Sequence, residues 1–336
     1  MQFSIGYRTQ ADTSFVDEII ARKDSVREVY FSWGTFPSGR NDQTRSEGLT
    51  AWEAQGRQIE DVQKMAAAGL KMNLLFNANC YGARAQSRAL FNQVGETIDY
   101  LSQYNLVSVT TTSPLIGKFV KQNFEKLDVR ASVNMKIGTV HGMEYVAEYF
   151  DSYYVQREKN RDIGHLKTLR QWCDQNGKEM YLLANSGCLN DCSAHTFHDN
   201  LVAHEKEIAA MDNGYAFESA CRRYLKKEEN RKWLLYGTSY IRPEDVKLYE
   251  GLVPAMKLAT RVHENPVRIL RAYIDRAHYV GNTADLLEPN HAAVIYPYVL
   301  ENNKIQSKLE NEKLIYTNEN NAFVKLEENY AYQQND

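Results

Sequence analysis

The sequence predicts an α/β fold, a (β/α)8 TIM-type barrel with an insertion after strand seven and a small C-terminal appendage. Three observations carry this expectation. Short apolar runs alternate with longer amphipathic stretches over residues 3–278. A length of 336 residues suits one such barrel plus a modest extension. Finally, 43% hydrophobic residues are enough to bury a large core, which excludes global disorder.

Residues 3–7 and 26–33 read as the first two strands. A loop rich in Gly, Ser and charge follows over 34–48, long enough to suggest a lid, and then a helix over 51–68 that ends at Gly69. Residues 72–77 and 107–111 read as strands three and four, with an amphipathic helix between them. Strands five and six fall at 129–133 and 152–156. Helices are expected around 141–149 and over 163–175, the second closed by Asn176-Gly177. Strand seven is placed at 178–184 and strand eight at 255–260, with a closing helix over 266–278. The barrel is therefore expected over 1–287, with its insertion at about 185–250, and the appendage over 288–336 with a frayed tail.

Composition narrows the function. A formal net charge of -3 leaves no general footprint for nucleic acid, although a local patch for RNA stays open. No apolar stretch approaches the roughly 20 residues of a membrane span. The start, Met1-Gln-Phe-Ser-Ile-Gly6, lacks the basic and apolar regions of a signal peptide. Five cysteines, clustered and odd in number, fit a reducing cytoplasmic setting better than a disulfide scaffold.

The cysteines carry the strongest chemical signal. Cys188 and Cys192 lie in Asn185-Ser-Gly-Cys-Leu-Asn-Asp-Cys-Ser-Ala-His195, directly after strand seven, at the face where barrels place reactive groups. Two thiols at this spacing share one side of a helical turn or face inward from a tight loop. Cys221 follows among Arg222, Arg223, Lys226 and Lys227, which favours its thiolate. Cys80 ends strand three and reaches the same rim, so four thiols are available for an iron–sulfur cluster, [4Fe-4S] by ligand count. Cys173 sits on an amphipathic helix and reads as core. Zinc is the alternative, with His195, His198 and His204 downstream, although the paired Cys-x2-Cys knuckles of zinc ribbons are missing. The bland alternative is a set of partly buried thiols.

Polar residues also gather at the predicted strand ends, namely Arg8, Trp33, Asn77, Asn79, Asn134, Arg157, Lys257 and Arg261. Together they suit a carboxylate-bearing small molecule, with Arg157, Lys257 and Arg261 as candidate anchors.

The second half of the chain resembles the collagenase-like peptidase family U32. The resemblance rests on Leu183-Ala-Asn-Ser-Gly-Cys-Leu-Asn-Asp-Cys192 with His195, His204 and Cys221. It continues through Ile241-Arg-Pro-Glu-Asp-Val-Lys-Leu-Tyr249, Met256-Lys-Leu-Ala-Thr-Arg261 and Tyr279-Val-Gly-Asn-Thr-Ala-Asp-Leu-Leu287. The family implies a barrel. Some of its members are iron–sulfur proteins of oxygen-independent hydroxylation, acting on a ubiquinone precursor or on RNA. That resemblance implies Cys188, Cys192 and Cys221 as cluster ligands with Cys80 as the fourth, and a related barrel protein as heterodimer partner. The leading expectation is an iron–sulfur oxidoreductase of the hydroxylase kind, acting on a small molecule or RNA. The alternatives are a peptidase, with His195 as a base for Cys188, and a non-catalytic cluster-bearing subunit.

Overall fold

The computed structural model describes residues 1–34, 36–39, 48–212, 214–215 and 217–326. The lid expected over 34–48 falls largely on 35 and 40–47, and the frayed tail on 327–336, so both lie outside the described residues. Strands β1 (Gln2–Gly6), β2 (Val26–Phe31), β3 (Met72–Phe76), β4 (Leu106–Thr111), β5 (Asp128–Ala131), β6 (Ser152–Tyr154), β7 (Glu179–Leu183) and β8 (Ala255–Leu258) form a closed barrel. Every neighbouring pair is parallel, and β1 closes on β8 with Gln2 opposite Ala255. Helices α1 (Ser14–Ala21), α2 (Ala51–Ala67), α3 (Arg88–Leu101), α4 (Pro114–Asn123), α5 (Val140–Glu144) and α6 (Ile163–Gln175) lie between the strands.

Local chemistry fixes the helix ends. Thr50 caps α2 through a reciprocal capping box with Glu53. Ser113 caps α4, which starts on Pro114, where a missing N–H leaves no bond unmade. Asp162 accepts from the His165 amide to start α6, and Gly177 at φ 62° ends the turn after it. Two expected helices differ. The stretch at 141–149 keeps helical form only over Val140–Glu144. The closing helix is α-helical over Pro266–Leu270 and then widens into a π turn over Arg271–Asp275.

Strand alternation divides the molecule into two environments. Phe3, Ile5, Val29, Phe31, Leu74, Val109 and Val129 face outward and pack with the helices in the main apolar core. The alternate residues face the lumen, and its lower half is polar. There Glu28 accepts from Ser4 Oγ (3.1 Å), Asn73 Nδ2 (2.8 Å) and Ser108 Oγ (3.2 Å), and pairs with the Arg130 guanidinium. Arg130 also reaches Asp128 at 2.6 Å and lies 3.9 Å from the centre of the Tyr181 ring. Burial pushes the Glu28 carboxyl up, but Arg130 and the hydrogen bonds outweigh it and hold Glu28 below the usual range.

The insertion carries α7 (His195–Ala203), α8 (Glu205–Ala209), α9 (Ala220–Leu225) and α10 (Trp233–Tyr236). Beyond the barrel come α11 (Pro266–Leu270), already described, and α12 (Ala292–Ile295). Four short strands follow: β9 (Tyr298–Leu300), β10 (Gln306–Glu310), β11 (Lys313–Thr317) and β12 (Phe323–Lys325). They pair as β10–β11 and β9–β12. Tyr316 of β11 anchors them, because its hydroxyl accepts from the Arg242 amide at 2.8 Å and Arg161 stacks 4.0 Å above its ring. Among the described residues, no helix is long and apolar enough to cross a membrane.

Removing one partner of the lumen ion pair strands the other in a buried site. Arg130→Met is expected to lower unfolding free energy by about 3–5 kcal/mol in urea denaturation. Adding Glu28→Leu should recover part of that loss, whereas independent sites would lose more.

Candidate functional site at the barrel mouth

Above the Glu28–Arg130 layer the lumen opens into a small cavity at the C-terminal ends of the strands. Tyr30, Asn77, Asn134, Arg157, Lys257, Arg261 and Glu288 are among the residues that line its roughly 60 Å³. Close packing builds its wall. A Cβ at Gly6 would stand 2.6 Å from the Tyr30 ring and 2.7 Å from Arg261 Cγ, so only glycine lets those two side chains reach the mouth. Tyr30 is fixed by a 2.7 Å hydrogen bond from its hydroxyl to the Leu258 carbonyl, and Arg261 by Ser38 Oγ at 3.2 Å. Asn77 Oδ1 accepts from the Gly39 amide at 3.0 Å. Five of the expected rim residues, Asn77, Asn134, Arg157, Lys257 and Arg261, therefore meet at one place.

The other three lie elsewhere. Arg8 lines a separate groove with Asp12 and Asn265, because β1 leaves the sheet at Gly6 and turns away. Trp33 meets Phe31 edge-on and Tyr100 at a tilt, at the barrel's outer side. Asn79 donates to Asp199 Oδ2 at 3.3 Å, beneath α7. The sequence reading missed Glu288 and Tyr30. Tyr30 was legible as the inward member of an alternating strand. Glu288 was not, since it comes from the start of the appendage. The chain crossing that brings it in requires Gly187, whose amide donates to the Glu288 carbonyl at 2.9 Å and whose Cβ would sit 2.4 Å from the Pro289 oxygen.

A second cleft of about 320 Å³ adjoins the mouth, since Val262 and Glu288 line both. Cys188, Cys192 and Cys221 all line this cleft, with His195, His198 and His263. The Cys188–Cys192 segment is a tight loop and not a helical turn. Asp191 takes the left-handed conformation at φ 53°, which Asp tolerates better than most residues. Asn185 ties the loop's base to the barrel, accepting from the Ala259 amide at 2.7 Å and donating to the Leu286 carbonyl at 2.9 Å.

Cys221 departs from expectation. Its basic sequence neighbours do not favour the thiolate. Instead burial, and then the nearness of Cys188 and Cys192, push its thiol up to about 11. Cys173 is fully buried beneath α6, and burial raises it to about 11 as well.

Cys80 lies outside the cleft and keeps different company. Its sulfur accepts from the Gly82 amide at 3.3 Å, and the His204 imidazole stands near enough to perturb it. The other face of that ring is held by Glu207, 2.6 Å from His204 Nδ1. The His204 bond and then the Gly82 amide hold the Cys80 thiol below its ordinary value, while Cys80 and then Glu207 raise His204 above its own. The expected four-thiol set is thus split into three and one. Among the described residues, no three His, Cys, Asp or Glu side chains stand close enough to hold a single metal ion.

His195 also departs from the expected base role. The Arg157 guanidinium reaches both Cys188 Sγ (3.2 Å) and His195 Nε2 (2.5 Å), and so occupies the nitrogen that a base would use. An Arg N–H aimed at Nε2 makes that nitrogen an acceptor, with the ring proton on Nδ1. Asp199 Oδ2, 3.3 Å from the same Nε2, would accept from it only if Nε2 carried a proton, so the two contacts compete.

Lys257 is the most perturbed base at the mouth. Burial, then the Arg261 charge, bring its amine down to about 7. Below pH 7 folded and unfolded chains both hold the proton, and the cost of the buried cation is full. Above it the folded chain sheds the proton first, so stability rises with pH towards the ordinary lysine range, by about 1.4 kcal/mol per pH unit. Lys257→Met removes this term. Its melting temperature should exceed that of the parent most at pH 6–7, and the gap should narrow by pH 9 in calorimetric scans.

No protein-family model matches the chain. A Methanocaldococcus jannaschii protein named "Uncharacterized protease MJ1657" is 24% identical over 263 residues, which is 75% of each chain. Among solved structures, the U32 peptidase Mk0906 superimposes with a TM-score of 0.54 at 14% identity, covering 76% of this chain and 91% of that one. The second likeness concerns the fold, a closed eight-stranded parallel barrel in this chain. Sequence relative and shared barrel agree with the motifs of the chain's second half: this protein is similar to the U32 peptidases.

Proposed function

We propose that this protein is a hydrolase of the peptidase kind, with Cys80 as nucleophile, His204 as its base and Glu207 orienting the imidazole. The observation that carries the reading is the juxtaposition of the Cys80 thiol and the His204 ring, each of which shifts the other's titration, with Glu207 2.6 Å from His204 Nδ1. It lies at the C-terminal end of β3, the face of a barrel where catalytic groups gather. The chemistry follows from the roles. His204 takes the thiol proton, the sulfur attacks a carbonyl carbon, and His204 returns the proton to the leaving amine. Water then cleaves the thioester by the same route. The similarity to a protein named a protease and to a U32 peptidase supports this reading over the hydroxylase one.

Direct labelling and turnover test it. Iodoacetamide at pH 6 should alkylate Cys80 at least tenfold faster than Cys188, Cys192 or Cys221, and His204→Ala should abolish the difference. Hydrolysis of fluorogenic peptides and activated esters should fall by about 10²–10⁴ in Cys80→Ser and His204→Ala, with a smaller loss in Glu207→Gln. Full activity in Cys80→Ser would sink the assignment.

The cleft favours a second reading. Cys188, Cys192 and Cys221 surround one space, and three thiols are a donor set for iron–sulfur or zinc. Cys80, the fourth thiol expected for a [4Fe-4S] cluster, is not among the residues lining that cleft. We therefore derive no hydroxylation step. Anaerobic purification with iron, sulfide and zinc analysis decides the matter. About four irons per chain, lost in Cys188→Ala, would establish a cluster and make RNA, small-molecule substrates and a related barrel partner the next questions. One zinc would point to a structural metal, and neither metal would leave the thiols as cleft wall.

A further inference from the structure

Lys257 is used by neither reading, yet it occupies the floor of the mouth. Its β8 position directs it into the lumen, where the ammonium lies 3.9 Å from the centre of the Tyr30 ring and 4.7 Å from that of Tyr154. The two rings and the strands beneath leave the side chain 6% exposed, reachable only through the cavity. The charged groups that bear on it are Arg261 after β8, Glu28 on β2, Arg130 on β5 and Arg157 after β6. Glu28 is matched by Arg130, and Glu288 lines the cavity beside Arg157 and Arg261, so three cations and a carboxylate share the mouth. Arg157 and Arg261 line the same space; a carboxylate there would draw Arg157 donors from Cys188 and His195 and an Arg261 donor from Ser38.

We propose that Lys257 is a nucleophilic amine that captures small 2-oxo acids in the barrel mouth as an imine, their carboxylate held between Arg157 and Arg261. The amine's electron pair forms the new C–N bond while the carbonyl π pair moves to oxygen. Two protons pass from nitrogen to that oxygen, the C–O bond breaks, and one water leaves. Amine plus carbonyl becomes imine plus water, with no change of oxidation state. Burial and the neighbouring guanidiniums keep a large share of the amine neutral near pH 7, as this attack requires. Size selects the substrate. The mouth, at roughly 60 Å³, is much smaller than the adjoining cleft, which suits a small acid at the amine. The adjoining cleft gives a longer acid somewhere to extend. This capture is independent of the Cys80 chain, and either can fail without the other.

Reductive trapping tests it. The full-length protein is incubated at pH 7 with glyoxylate and sodium cyanoborohydride, digested, and mapped by mass spectrometry. Parallel samples contain propanal, which has the carbonyl and lacks the carboxylate. Lys257 should carry the adduct at least tenfold faster than any exposed lysine with glyoxylate, and lose that lead with propanal. Arg261→Met should slow trapping at Lys257 at least tenfold. Its circular dichroism and the labelling of exposed lysines serve as controls for folding. Label spread over exposed lysines with Lys257 untouched would overturn the proposal. Equal preference for propanal would overturn the carboxylate clamp, and with it the substrate class.

Discussion

Every feature of the mouth depends on the ion pair beneath it. A barrel lumen lined by Ser4, Glu28, Asn73, Ser108, Arg130 and Ser152 is stable only if its polar groups satisfy one another, and the Glu28–Arg130 contact is the hub of that set. The pair fixes Arg130 against Tyr181 and Tyr154, and Tyr154 in turn forms one side of the Lys257 site. Glu28 still pulls on the ammonium one layer higher, but Arg130 beside it opposes that pull. A structural ion pair and a perturbed lysine are thus two results of one arrangement.

Above the hub, polar contacts run continuously across the rim. Asn79 donates to Asp199, Asp199 adjoins His195, and Arg157 bridges His195 and Cys188 while lining the mouth. Asn79 is also the residue before Cys80. The nucleophile candidate, the thiol cleft and the cationic cavity are therefore neighbours along one set of hydrogen bonds. Each still has its own chemistry, since His204 serves only Cys80 and Arg157 serves the other two sites.

Much of this was legible in the sequence, and the failures have physical causes. All eight strands and helix α6 stood out because hydrophobic periodicity is local, and the strand ends then placed Arg157, Lys257 and Arg261 together. The polar lumen was written in the same strands, where Ser4, Glu28, Asn73 and Arg130 alternate with apolar neighbours. Reading each run as simply apolar passed over it. Cys80 was expected as the fourth cluster ligand, and its nearness to His204 depended on where α7 ends in space. The spacing of His204 and Glu207 was a usable clue, since i,i+3 residues share a helix face. The raised Cys221 thiol was not readable, because charge along the chain says nothing about burial.

The position of Arg157 has one more consequence. Its guanidinium divides its donors between Cys188 and His195 at the edge of a cavity suited to carboxylates. A ligand that draws those donors inward takes them from the thiol and the imidazole alike, leaving Asp199 as the nearby acid for His195. Occupancy of the mouth and the hydrogen bonds to Cys188 and His195 are then thermodynamically linked. By reciprocity, whatever binds at the thiol cleft changes the affinity of the mouth by the same factor.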